Sequence, residues 1–170
     1  VFLGERGDGE FEQKVAIKLV KVGLDSQTVI RRFRRERQIL ASLEHSGIAR
    51  LLDGGTIDKG VPFLVMEFLR GRDLGGEVEA RKKLQPKEVV VYLRQTARAL
   101  DKAHGIGIVH RDLKPENIFL TVREDGTPCI KLLDFGIAKL TGASAAGSPN
   151  QSKTKTGAVF GTPLYRSEER

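Results

Sequence analysis

The sequence is poor in the residues that mark several common protein classes. It has a single cysteine, Cys129, among 170 residues, so no internal disulfide can form and nothing asks for an oxidising compartment. Tryptophan is absent and there are two tyrosines, which leaves little aromatic surface on which nucleic-acid bases could stack. Long apolar runs are missing as well. The most apolar stretch, residues 61–69, contains Pro62 and Glu67 and is far too short to span a bilayer. No basic-then-apolar leader opens the chain. These absences argue against a secreted mini-protein and against a membrane segment. The expected location is the cytoplasm, with any membrane anchor lying outside this stretch.

What is present supports a packed core. Hydrophobic residues make up 39% and charged residues 30% of the chain, a balance typical of a globular domain or a piece of one. The net charge is +7, and Arg31, Arg32, Arg34, Arg35 and Arg37 crowd into one short stretch. A basic helix of this kind can bind nucleic acid. The simpler reading is a solvated helix face, and with so few aromatics no nucleic-acid partner is expected.

Alternating signals run along the first part of the chain. Residues 1–6 read as a strand and Asp8-Gly9 as a tight turn. Residues 12–20 read as a second strand, whose pleat puts Val15, Ile17 and Leu19 on one face and Ala16, Lys18 and Val20 on the other. Lys18 is thus a lone cation beside small apolar side chains. Residues 26–43 read as an amphipathic helix with Val29, Phe33, Glu36, Leu40 and Leu43 in one stripe. Glu36 interrupts that stripe with a carboxylate. A buried acid needs a cation or several donors; the alternatives are local pairing with Arg32 or a place at the wet edge of the stripe.

Strands are expected at 48–53 and 61–68, joined through Gly54-Gly55 and Asp58-Lys59-Gly60. Pro86 opens a helix running to about His104, with Val90, Leu93, Ala97 and Leu100 as its apolar face and Gly105 as its stop. Short strands at 118–122 and 129–133 flank an Asp125-Gly126 hairpin. Residues 142–157, rich in Gly, Ala, Ser, Thr and Lys, read as a mobile loop.

The chemistry concentrates in His110-Arg111-Asp112-Leu113-Lys114-Pro115-Glu116-Asn117 and in Asp134-Phe135-Gly136. Asp112, Asn117 and Asp134 fall on short segments beside small strands, where carboxylate and amide oxygens can converge on a hard cation such as Mg²⁺. Each alone could be an ordinary turn residue. Both blocks together, in this order, go beyond that.

These blocks, with Val15-Ala16-Ile17-Lys18, the helix carrying Glu36, and Gly161-Thr162-Pro163, resemble the motif set of the eukaryotic-type (Hanks-type) protein kinases, most closely the bacterial serine/threonine kinases. The resemblance covers essentially the whole chain. It implies an α+β, two-lobed fold: a small lobe (1–68) of antiparallel sheet plus one helix, and the start of a mainly helical large lobe (69–170). It also implies transfer of the γ-phosphate of ATP to Ser or Thr of protein substrates, with Mg²⁺. Lys18 would hold the α- and β-phosphates, positioned by Glu36. Asp112 would orient the substrate hydroxyl and accept its proton, Lys114 would neutralise the transferring phosphate, and Asn117 and Asp134 would hold the metal. Glu67 and Leu69 would present backbone groups to adenine behind Met66. Val1, Ala16 and Phe119 would sandwich the ring, plain core packing being the alternative for those three, and Asp73 would reach the ribose. Lys114 and Gly161-Thr162-Pro163 resemble serine/threonine rather than tyrosine kinases. Thr154 and Thr156 sit where relatives carry autophosphorylation sites that Arg111 and the arginine-rich helix could pair with.

Three departures stand against the family pattern. Gly4, Gly7 and Gly9 do not form its glycine-rich phosphate loop, and Val1 resembles the residue just after that loop. Ser167-Glu168-Glu169 stands where the family has Ala-Pro-Glu. Arg170 precedes the helices that complete the large lobe. The expectation is therefore a fragment incomplete at both ends, itself weakly active or inactive. A silent ATP-binding scaffold is the alternative function.

Overall fold

The computed structural model describes residues 1–5, 7, 12–20, 33, 37–38, 40–57 and 61–135. Glu36, Val29, the Asp8-Gly9 turn, Gly136, the loop at 142–157 with Thr154 and Thr156, Gly161-Thr162-Pro163 and Ser167-Glu168-Glu169 all lie outside the described residues.

Strands β1 (Phe2–Glu5), β2 (Lys14–Leu19), β3 (Leu51–Ile57) and β4 (Val61–Glu67) form an antiparallel sheet in the order β1-β2-β4-β3. In its register Ala16 lies between Leu3 and Met66, and Lys18 lies opposite Leu64. Val20, just past β2, is buried with Phe33 and Leu64, and Leu51 packs against them. Phe33, Arg37, Gln38, Leu40 and Ala41 are helical, as the apolar spacing predicts. The Arg37 guanidinium donates to Gly54 O and ties that helical stretch to β3.

The strand expected at 48–53 is displaced. β3 starts at Leu51 and runs through Gly54 and Gly55, which are strand residues rather than a turn. Close approach explains the glycines: a Cβ at Gly54 would sit 2.9 Å from Phe63 O, and one at Gly55 would sit 3.0 Å from the Phe63 ring. Ile48 instead forms a parallel bridge with Leu132. The β4 strand ends at Glu67, one residue earlier than expected.

A second sheet, β5 (Arg72–Asp73), β6 (Ile118–Val122) and β7 (Pro128–Leu132), follows in that order. The β6–β7 hairpin turns through Asp125 and Gly126, where Gly126 has φ +77° and Asp125 Oδ1 accepts from the Thr127 N–H and hydroxyl. Gly71 is held to glycine more strictly. With φ +144°, any Cβ there would lie 1.9 Å from Leu120 O.

Helix α1 (Leu74–Arg81) was not foreseen from sequence; helix α2 (Pro86–His104) has the expected ends. Pro86 occupies its first turn, Glu88 Oε2 accepts from the Gln85 N–H at 3.0 Å, and the Gly105 N–H closes it on Asp101 O. Its buried face is not the one expected. Tyr92, Thr96, Ala99 and Ala103 turn inward, while Val90 and Leu93 are more than half exposed and only Leu100 of the expected stripe packs on the core. Ala99 and Ala103 let the helix approach β7 closely, so small side chains take the interface from larger ones. The resulting core joins Tyr92, Ala99 and Ala103 to Leu43, Ile48, Ile118, Ile130, Leu132 and Phe135. Among the described residues no helix is long and apolar enough to cross a membrane.

Candidate active site

The site forms where the two sheets meet. Lys18 comes from the central part of the first sheet, and the segments 110–117 and 133–135 come from either side of the β6–β7 hairpin. Hairpin register brings the last two together: Ile118 pairs with Leu132, and the Leu133 N–H donates to Asn117 O at 2.9 Å. Asp134 therefore follows directly on a residue bonded to Asn117.

Lys18 Nζ lies 2.5 Å from Asp134 Oδ2. This is the partner the structure gives the stranded cation; the expected pairing with Glu36 lies outside the described residues. The two side chains are 24% and 35% exposed, so the pair is reached by water rather than sealed in a core.

Asp112 is held from several directions. Its main-chain oxygen accepts from Asn117 Nδ2 at 2.8 Å, its Oδ2 lies 3.3 Å from the same nitrogen, and Lys114 Nζ is 3.7 Å from Oδ2. The amide nitrogen of buried Asn117 is thus committed to Asp112, which leaves its oxygen as the group able to take a cation. An amide oxygen and the Asp134 carboxylate are hard oxygen donors of the kind Mg²⁺ prefers, with no thiolate or imidazole among them. The donor set therefore fits Mg²⁺. Arg111 and Asp134 both adopt positive φ, +61° and +56°. An arginine in that region is uncommon and marks a locally constrained backbone.

His110 locks the two loops together. Its Nε2 is 2.8 Å from Leu133 O, and because a carbonyl only accepts, Nε2 carries the proton. The Asp112 N–H points at Nδ1 at 3.4 Å, and the ring packs on Phe135 with centroids 4.6 Å apart. Protonation at Nδ1 would set one N–H against another. Burial lowers the His110 pKa; the Leu133 carbonyl and the Asp112 and Asp134 charges oppose that shift without overcoming it. The sign follows: the unfolded chain takes up a proton near pH 6.5 while the folded one resists it, so stability is full above about 6.5 and falls as pH drops through the lower folded value. Melts from pH 8 to 5 should show the native protein losing up to about 1.4 kcal/mol per pH unit more than a His110→Gln variant. Parallel curves would refute this assignment.

The linker 66–69 and its surroundings are placed as follows. Ala16 and Met66 are cross-strand partners, and Phe119 lies between Asp73 and Lys131 in the second sheet. Asp73 caps α1, its Oδ1 accepting from the Gly76 N–H at 2.9 Å, which commits one of its oxygens away from any ligand. Val1 is 81% exposed. Leu69 lies just beyond β4 with backbone groups that have no bond among the described residues. The Glu67 side chain accepts from Lys131 Nζ at 2.6 Å and from the Arg50 N–H at 2.7 Å. Neither Lys131 nor the His110–Leu133 lock was singled out in the sequence, since each pairs groups far apart along the chain.

The family profile described as protein kinase domain matches residues 7–170. The chain belongs to this family. It is 36% identical over 177 residues to serine/threonine-protein kinase pkn3 of Myxococcus xanthus, covering 99% of this chain and 32% of pkn3. It is also 36% identical over 171 residues to serine/threonine-protein kinase PknA of Mycobacterium tuberculosis, covering 98% of this chain and 37% of PknA. The chain thus spans about a third of the length of these relatives. Among solved structures, the PknI kinase domain of Mycobacterium tuberculosis superposes with a TM-score of 0.67 at 32% identity, covering 80% of this chain and 54% of that one. Rad53 1–466 in complex with AMP-PNP superposes with a TM-score of 0.62 at 32% identity, covering 74% of this chain and 32% of that one. The two-lobed α+β kinase fold expected from the motifs is the fold of this chain.

Proposed function

We propose that the protein transfers the γ-phosphoryl group of ATP to serine or threonine hydroxyls of protein substrates, with Mg²⁺. The observation that carries this reading is the 2.5 Å approach of Lys18 Nζ to Asp134 Oδ2 beside the Asp112–Lys114–Asn117 cluster. Cations and oxygen donors side by side suit a polyphosphate and its metal, and the bacterial kinase relatives support the acceptor class. ATP use fits a cytoplasmic location.

In this reading Lys18 binds phosphate oxygens, positioned by Glu36, while Asn117 and Asp134 supply metal ligands. Bound Mg²⁺ would neutralise charge on the phosphates. Asp112 orients the acceptor hydroxyl and takes its proton, and Lys114 offsets charge on the transferring group. The backbones of Glu67 and Leu69 pair with adenine; Ala16 and Phe119 close on the ring with Val1; the second oxygen of Asp73 reaches the ribose. Thr154 and Thr156 are proposed autophosphorylation sites. Catalysis then rests on positioning and electrostatics. A silent scaffold would be expected to have lost one of these groups, yet Lys18, Asp112, Lys114, Asn117 and Asp134 are all in place.

The test is transfer of label from γ-³²P ATP to a generic basic acceptor protein, followed by acid hydrolysis. Phosphoserine or phosphothreonine should appear, with no transfer from α-labelled ATP and none without Mg²⁺. Phosphotyrosine as the only product, or no label from a form that also carries the glycine-rich loop and the rest of the large lobe, would overturn the reading.

A further inference from the structure

Beside the linker, a polar knot ties three chain segments. Residues 47–50 bond to both the end of β4 and β7: the Ala49 N–H donates to Leu132 O at 3.0 Å, the Leu132 N–H to Gly47 O at 2.8 Å, and the Glu67 N–H to Arg50 O at 3.0 Å. The Glu67 carboxylate closes the knot. One oxygen, Oε1, takes both the Arg50 N–H at 2.7 Å and Lys131 Nζ at 2.6 Å. The ion pair is mostly withdrawn from water, with 17% of the lysine and 27% of the glutamate side chain exposed. Charge-assisted bonds of this length are strong and directional, and partial burial protects them from screening by salt.

The position of Lys131 gives the knot its meaning. It stands directly opposite Phe119 in the β6–β7 register and lies three residues before Asp134. Its ammonium therefore connects the strand that leads into the proposed metal carboxylate with the residue whose main chain opens the linker. Swinging the Glu67 main chain would require breaking the carboxylate away from two donors held by two other segments. Unanchored, the linker would have to be ordered each time a ligand bound, and binding would be weaker by that cost.

We propose that Lys131 is a positioning residue for nucleotide recognition: through the Glu67 carboxylate it holds the linker backbone in the orientation that receives adenine. The inference rests on the nucleotide reading above and deepens it. Lys131 touches neither phosphate nor metal in this scheme, so its effect is confined to the base end of the ligand.

That confinement supplies the test. In the full chain, displacement titrations with ADP, adenosine and tripolyphosphate, each with Mg²⁺, should separate the two ends of the site. Lys131→Met should weaken ADP and adenosine about tenfold, the effect expected of one lost charge-assisted bond, and leave tripolyphosphate unchanged. Lys131→Arg should restore binding to within about twofold, since it keeps the charge and the donor. Glu67→Gln should fall between, because an amide oxygen can still accept from both donors. Adenosine bound by Lys131→Met as tightly as by the native chain would overturn the proposal. So would an equal loss of tripolyphosphate, which would mark Lys131 as merely structural. A native chain that binds ADP but shows either result overturns this inference alone; one that binds no nucleotide overturns the nucleotide reading and this inference with it.

Discussion

Replacing Asp112 by alanine should lower the rate of phosphoryl transfer by about 10³-fold, within the range for removing a group that accepts a proton in the transition state. The KM for ATP should move by less than about threefold, because Asp112 is assigned to the acceptor hydroxyl rather than to the nucleotide, and a transition-state group acts on kcat. The geometry makes this substitution unusually clean. The shorter of the two bonds from Asn117 Nδ2, 2.8 Å, goes to the main-chain oxygen of residue 112, which alanine retains; of the Asn117 bonds the 3.3 Å contact to Oδ2 is lost, and with it goes the 3.7 Å approach of Lys114 Nζ to the same oxygen. Asn117 should therefore stay anchored and its oxygen stay available to the metal. Steady-state transfer assays with the full chain and the variant measure both quantities. A loss of less than tenfold would remove Asp112 from the proton-accepting role. A loss carried wholly by KM would reassign it to substrate binding.

How much of this site could be read from the residues depends on the range over which the chain organises itself. The β6–β7 hairpin and the ends of α2 were legible to within a residue, because Asp125-Gly126, Pro86 and Gly105 each act on their immediate neighbours. The positions of Asp112, Asn117 and Asp134 beside that hairpin were legible for the same reason. The inward face of α2 was not. Two apolar stripes compete along it, and the one that wins is set by how closely β7 can approach Ala99 and Ala103, which depends on packing rather than on hydrophobicity. Helix α1 was missed because Gly75 and Gly76 are poor helix formers; its start rests on the Asp73 cap and its other end is tied by the Arg81–Glu88 ion pair. That pair also holds the Glu88 pKa down to about 2, the Arg81 guanidinium being the main cause. Lys18 was recognisable as a cation in need of a partner, but a strand pattern cannot say which acid in the second sheet will meet it. The Glu67–Lys131 pair joins residues 64 apart and carries no local signature at all.

Asp134→Asn should reduce transfer by about 10³-fold or more and raise the Mg²⁺ concentration needed for half-maximal activity, while leaving the fold nearly as stable as before. Asparagine matches aspartate in size and tolerates the left-handed backbone, so the φ of +56° at this position can be kept. The substitution then removes one charge and little else. Its structural cost is the Lys18–Asp134 ion pair, and with 24% and 35% of the two side chains exposed, such a pair contributes about 0–1 kcal/mol. Stability and activity should therefore part company: a melting temperature within about 3 °C of the native value, and an activity loss of at least three orders of magnitude. Lys18→Met offers the complementary measurement, since it removes the other half of the pair and leaves the proposed metal ligands intact. It should weaken nucleotide turnover to a similar degree without raising the Mg²⁺ requirement. If both variants lose activity only in proportion to lost folded protein, the pair is a structural bridge between the two sheets and not part of a phosphate and metal cradle. If both fold normally and fail separately, one in its need for metal and the other in its handling of the nucleotide, the division of labour assigned to these two side chains stands.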